Sequence, residues 1–594
     1  MPEPRPTERA NGTSRALWLL LATTLAIRAL APLIPSRYVW GVDLAHDLPP
    51  VTFWIPWLAT AALLIPAISR PLAKALPESP RGIALTGLAL AAAMAALAWR
   101  FPDVIQFTGD SGMRHGAFTT ADHPLLLVPQ AMPGDLWLHW ALPRWLDARI
   151  GWPADRTDRV LGAGLALLNG VAAWRLARAA GLRGGAALAV MAVAGWTANL
   201  ALFSGYAKSL VELAVIELAA AAALVGVLRG GRGLAALGLL TAAALVMHRA
   251  GLLLLPAWLA GLGVALTRPR EARPRWPALL ACALPPLATL AWLGRRLAGT
   301  LAHFDVAHHV THDGAQASRI ATQLFGASHL RDAANLLLLL VPVLPLALAL
   351  LFDRGPSGRP EGDPSTLPKS HLAFAALVLP PLLLLLLVRP QQGLFRDWDV
   401  FAITGAAVAA WLATRLGGVL ARERGAAWLA LPLLLASAAP SAQWLFHQSD
   451  PDRALPRARA LLLGPPLRSG DERATGFDRL SLLYLYRGDA ERMAEACSLS
   501  VDAAPNPRVL AEWGMAETLR QRYDAAQAHY LRAASLNPGF TMAWKGVAAS
   551  SSALGDVPHM QQAVQALRVL EPGGATVRDA SEWLERNRPA GRDQ

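Results

Sequence analysis

The chain has 594 residues, 54% of them hydrophobic and only 16% charged, with a mean hydropathy of +0.34 and a net charge of +13. Soluble domains carry about a quarter charged residues, so this composition excludes an ordinary water-soluble enzyme and indicates an all-α polytopic membrane protein. The 2 cysteines, Cys282 and Cys497, fall in different regions, so no disulfide framework is expected, and no basic-aromatic module points to nucleic acid.

The N-terminus MPEPRPTERANGTSR is polar, and no small-residue cleavage site clearly follows the first apolar run. That run is read as a retained helix. Apolar runs then recur to about residue 445, many near the ~20 residues that span a bilayer. About thirteen spans are expected, at 15–35, 51–69, 82–99, 159–178, 185–203, 208–228, 233–248, 250–266, 276–293, 332–352, 371–388, 399–416 and 426–446. The 21 tryptophans suit interfacial belts. With the N-terminus inside, every inside connection carries arginine, as in RPLAKALPESPR and TRPREARPRWP. The outside connections hold nearly all the aspartates and histidines of the apolar region. This sorting obeys the positive-inside rule and places the tail outside.

Several outward residues stand out in chain order. Arg28 lies inside the first span, and Asp43 and Asp47 follow it. The loop 101–158 opens FPDVIQFTGDSGMRHGAF, with Asp110 in a glycine-flanked turn and Arg114 close behind. A carboxylate there suits a general base acting on a membrane-bound substrate, or a helix cap or turn. The rest of that loop, ADHPLLLVPQAMPGDLWLHWALPRWL, reads as amphipathic helices lying in the interface.

The turn FSGYAKSLVE places Tyr206, Lys208 and Glu212 at the membrane edge. Lys208 either snorkels to lipid phosphate or holds an anionic lipid head. MHRAGLLLLPAW sets His248 and Arg249 between two apolar runs with almost no loop. Ionisable groups at that depth usually face an interior cavity, and the arginine fork suits a phosphate. LAHFDVAHHVTHDGAQ spaces His308 with His312, and Asp305 with His309, at i,i+4. That spacing can make metal-ligand pairs, but with no second cluster a polar loop over a site is preferred. GLFRDWDVFA puts Arg396, Asp397 and Asp399 in one turn between greasy segments, as a cavity wall or as a self-contained Arg–Asp closure.

The tail changes character, so the domains are set at 1–446 and 447–594. Pro505, Pro538 and Pro572 are spaced by 33 and 34 residues, the tetratricopeptide period. Gly514, Ala526, Tyr530, Ala533 and Pro538 fall at that repeat's small, aromatic and helix-ending positions. A small α-solenoid that binds a partner is expected.

Together, the GDSGMR, FSGYAKS, MHRAGLLLLPAW and GLFRDWDVFA motifs resemble, in their order, the GT-C superfamily of polyprenyl-phosphate-dependent glycosyltransferases. The resemblance is closest to bacterial relatives of the protein mannosyltransferase and aminoarabinose transferase group. The motifs cover most of residues 82–416. The repeat tail resembles that of eukaryotic O-mannosyltransferases with lumenal repeats. The resemblance implies a bacterial inner-membrane enzyme with a polyprenyl-phosphate sugar donor and a protein or glycan acceptor. It makes Asp110 the base, and Arg249, Lys208 and Arg396 the donor-phosphate ligands. Asp397, Asp399, His248, Tyr206 and Arg114 would bind substrate. No cofactor is required, and a divalent metal is not favoured, because GDSGMR lacks a second acid beside Asp110.

The chain departs from the family in two further ways. Two spans precede the one leading into the Asp110 loop, so Asp43 and Asp47 remain rival bases. Related sequences often carry an acid where Lys208 stands. The alternatives are an O-antigen ligase or polymerase, and a non-enzymatic scaffold or transporter.

Overall fold

The computed structural model describes residues 6–34, 37–109, 112, 114, 116, 125, 128–230, 232–304, 324–351, 353 and 368–587. Every regular element among them is helical. The chain divides into two compact units, residues 1–454 and 455–594. The division falls inside the helix Pro451–Leu463, slightly beyond the boundary expected at 446/447.

In the first unit, 8 helices among the described residues are long and apolar enough to cross a membrane, from Gly12–Leu33 to Gly425–Gln448. Three bent pairs raise the number to at most 11. The bends are 82° between Pro50–Leu63 and Pro66–Ala73, 58° between Gly184–Gly195 and Ala198–Ser204, and 98° between Ala327–Leu340 and Leu344–Leu350. Pro66 and Pro345 sit at the starts of the second pieces. A proline there costs the following turn nothing but cannot continue the preceding helix. Two further apolar helices, Leu234–Met247 and His371–Leu387, are shorter still. Each apolar run read from the sequence falls on one of these elements, but a run broken by proline is not a straight span.

Two helices form the bundle's centre. In Leu210–Gly230 and Asp397–Arg422, 83% and 78% of the apolar window is buried, against 28–44% in the other long helices. Helix Ala402–Arg422 packs on Gly184–Gly195 and on Leu210–Gly230. Gly417 lies on the first of these contacts, where a Cβ would come 2.6 Å from Val190, so the absence of a side chain lets the two helices approach closely. Glu212 lies in the first turn of one central helix, and Asp397 and Asp399 in the short 3-10 turn that opens the other. The fold thus gathers charge at the starts of its two most buried helices.

The stretch expected to lie in the interface is helical, but it is more than amphipathic cover. It runs Pro133–Leu136, Trp137–Ala141 and Leu142–Ile150, and its middle segment is a π-helical turn. Trp137 and Trp145 are exposed, as an interfacial helix would have them, while Asp135 and His139 on the other face are buried.

In the second unit, the helices from Gly470–Tyr486 to Ala575–Arg586 each pack on their neighbour in the chain. Pro505, Pro538 and Pro572 each follow a helix end, at Ala503, Leu536 and Leu570, by two residues. Ala526 and Ala533 are fully buried beside Tyr530. A Cβ at Gly514 or Gly546 would meet the Tyr530 ring at 2.8 or 2.3 Å, so the ring fills space that both glycines leave. Ser469, Asp489, Asn506 and Asp556 cap four of these helices through their side chains.

Candidate active site at the starts of the central helices

The segment before Asp110 is clasped onto the turn before the second central helix. Gly109 N–H donates to the Arg396 carbonyl at 2.7 Å, Arg396 Nε donates to the Phe107 carbonyl at 3.2 Å, and Trp398 Nε1 donates to Thr108 Oγ1 at 2.9 Å. The Arg396 guanidinium also stacks on the Phe107 ring, 4.9 Å from its centroid. Upstream, the Asp103 carboxylate accepts from the amides of Ile105 and Gln106, which closes the turn leading in.

Asp399 is the hub. It is fully buried, and its Oδ2 accepts from Tyr206 OH at 2.6 Å and from Lys208 Nζ at 2.9 Å. Its Oδ1 accepts no hydrogen bond among the described residues. Gly109 lies against both partners, at φ +57°, where a Cβ would come 2.4 Å from Tyr206 OH and 2.7 Å from Asp399 Oδ1. Only glycine fits that backbone and that space. Three motifs separated by about a hundred residues or more therefore meet at one point. Asp110, the next residue after Gly109, lies outside the described residues, as do Asp305, His308, His309 and His312.

The fourth motif adjoins the set. His248 caps the 3-10 turn Arg249–Leu254 by accepting from the Ala250 amide at 3.1 Å, and its Nε2 lies 3.2 Å from an Arg249 Nη. Arg249 sits over the Phe304 ring at 5.6 Å. His248 is within electrostatic reach of Arg249, Lys208 and Arg114.

A second buried charge cluster joins Arg114 and Glu212 to three residues that sequence reasoning passed over, Asp135, His139 and Asp158. Arg114 pairs with Asp135, and both are buried. His139 lies 3.4 Å from Glu212 and 3.7 Å from Asp158, ion-pair rather than hydrogen-bond distances. Burial opposes charge on His139, but Glu212, Asp158 and Asp135 outweigh it and push the imidazole up to about 10. Asp135 and His139 are four residues apart on one helical face, a signal visible in PGDLWLHW. It was hidden by the tryptophans and leucines that made the segment look like interface cover.

The rival acids Asp43 and Asp47 belong to a separate knot. Arg37 reaches Asp43 at 3.2 Å and holds Asp47 through two contacts of 2.9 Å. Trp40 Nε1 and the Gly41 amide tie that turn to Asp332 and Asn335, each at 2.9 Å. Arg28 lines a small cavity with Trp40 and Trp444. Among the described residues no three His, Cys, Asp or Glu side chains are grouped to hold a metal.

Chemically, the site combines guanidinium and ammonium groups for an anion with carboxylates for hydroxyls, all at one end of the bundle.

No family model and no curated protein matches the sequence. Among solved structures, the second TPR domain of human RPAP3, determined with an HSP70 peptide, is similar at 21% identity over 20% of this chain and 98% of that one. Its TM-score is 0.19, so the likeness carries no argument.

Proposed function

We propose that the chain is a GT-C-type glycosyltransferase that moves a sugar from a polyprenyl phosphate to an acceptor on the extracytoplasmic face. In this reading the bundle spans the bacterial inner membrane thirteen times, and residues 447–594 form a periplasmic tetratricopeptide solenoid that recruits the acceptor. The observation that carries it is the buried contact of Asp399 with Tyr206 and Lys208 against Gly109, the residue before the proposed base.

The chemistry is a direct displacement. The acceptor oxygen attacks the anomeric carbon, and the Asp110 carboxylate takes the acceptor proton. The bond from the anomeric carbon to the phosphate oxygen breaks, and the polyprenyl phosphate leaves with the electron pair. Arg249 and Arg396 offset the charge of that leaving phosphate. Lys208 contributes to the same field, but its partner Asp399 absorbs part of its charge. Asp397 and the open Oδ1 of Asp399 are acceptors for sugar hydroxyls, with Tyr206, His248 and Arg114 completing the wall.

The test uses purified full-length protein in lipid with a labelled polyprenyl-phosphate sugar panel. Wild type is expected to consume donor, Asp110→Asn to bind donor without turnover, and Asp43→Asn to match wild type. Turnover by Asp110→Asn at the wild-type rate would remove the base assignment. No consumption of any donor by wild type would favour the ligase or scaffold readings.

A further inference from the structure

A cavity of about 1150 Å³ runs between the helices Ala154–Ala179, Leu210–Gly230 and Leu234–Met247. Leu168, Val215 and Ile216 form its apolar walls, and Ala219, Ala222 and Gly226 keep its floor low. Leu168 and Ala236 on its rim are exposed, so the trough opens at the side of the bundle. From Glu212 at one end to Gly230 at the other, the central helix rises about 27 Å, close to the ~30 Å of a hydrocarbon core. The trough thus follows the depth of a bilayer and faces lipid.

Its two ends differ. Glu212 and Met247 lie at the end near the site described above. Four arginines, Arg175, Arg178, Arg229 and Arg232, line the other. Arg175 and Arg178 come from one wall and lie 5.9 and 5.7 Å from the Trp174 ring, an aromatic suited to the interface. Arg229 and Arg232 come from the tight turn between the other two helices. A Cβ at Gly226 would stand 2.4 Å from the Arg232 carbonyl, so that turn folds down directly onto the trough floor. Arg229 gives one donor to the Ala180 carbonyl and keeps its others. Among the described residues none of the four arginines is ion-paired to a carboxylate. Four guanidiniums around the mouth of an apolar, lipid-facing trough lack a counter-charge, and an anionic lipid headgroup supplies it.

We propose that this trough binds an anionic phospholipid. The phosphate sits among Arg175, Arg178, Arg229 and Arg232, and one acyl chain lies along the alanine floor. A zwitterionic lipid brings its own cation into the same cluster and is disfavoured. A polyprenyl tail entering from the Glu212 end would leave the arginines unneutralised. The inference does not depend on the glycosyltransferase reading.

Native mass spectrometry of the delipidated full chain, titrated with dioleoylphosphatidylglycerol or dioleoylphosphatidylcholine, tests it. Wild type is expected to retain the glycerol lipid in preference to the choline lipid. Arg175→Gln/Arg178→Gln is expected to weaken the glycerol lipid about tenfold. Ala236→Leu, which narrows the trough at its arginine end without a charge change, is expected to weaken it too. The control Lys74→Gln/Arg81→Gln removes the same charge from exposed positions away from the trough and is expected to match wild type. Equal retention of the two lipids by wild type would overturn the proposal. So would an equal loss in the control pair, or displacement of bound lipid by undecaprenyl phosphate with no effect of the arginine pair.

Discussion

Ion pairs taken from the two units show two ways of handling charge, although the tail also holds a largely buried pair, Arg520–Glu517, with side chains 15% and 7% exposed. In residues 1–454, Lys208–Asp399 and Arg114–Asp135 are buried, with Asp399 and Asp135 at 0% exposure. In residues 455–594, Arg459–Glu495 and Lys545–Glu571 lie at the surface, with side chains a third to a half exposed. A surface pair gains little and loses little. A buried pair gives up the hydration of both ions, and a well-packed apolar pair is often at least as stable. Around Tyr530, Ala526 and Ala533 the tail is held by packing, while the buried Lys208–Asp399 pair of the first unit is one that the proposed function uses.

The largest expected effect separates these two regimes. Asp399→Asn removes the buried carboxylate that the Lys208 ammonium meets at 2.9 Å and should cost about 3–5 kcal/mol, read as a lowered melting temperature in detergent. A variant as stable as wild type would mean the ammonium has another anion.

Next is the tail. Gly546→Ala forces a Cβ into the Tyr530 ring and should cost about 1–3 kcal/mol. Hydrogen exchange should then quicken in the helices Tyr523–Leu536 and Thr541–Leu554 and stay unchanged in the first unit. Unchanged protection in both helices would show that the ring moves freely aside.

A pH dependence should follow from His139. Its folded pKa, about 10, lies above the ordinary 6.5. Its contribution to stability is then complete below about pH 6.5 and disappears as pH rises through about 10. His139→Gln should flatten the fall in melting temperature over that window, and an identical slope in the variant would assign the fall to other groups. The smallest effect belongs to Lys545→Ala, which should change stability by less than about 1 kcal/mol and by less still at high salt.

Much of the fold was legible in the sequence because apolar runs and proline spacing are local signals. The runs located the helices, and the 33- and 34-residue proline intervals located the helix ends of the tail. Bends were not legible, since Pro66 and Pro345 look like any proline inside an apolar run until helix directions are known. For the site, the charged residues could be picked out as unusual, but their partners could not. Tyr206, Lys208 and Asp399 are brought together by the packing of the two central helices, across an interval of more than 190 residues. Asp43 and Asp47 looked like candidate bases because the arginine that holds them, Arg37, precedes them by six and ten residues in an irregular turn. Asp135 and His139 were missed because a helix with tryptophans on one face need not be polar only toward water.

The central claim is that the Lys208–Asp399 pair is kept for catalysis rather than for stability. The most direct measurement is donor turnover by the double variant Lys208→Met/Asp399→Leu in the full-length protein, with its melting temperature recorded alongside. The account predicts a protein about as stable as wild type whose turnover has fallen by about a hundredfold or more. A double variant that melts with wild type and turns over donor at the wild-type rate would contradict it, and the buried pair would then be part of the packing alone.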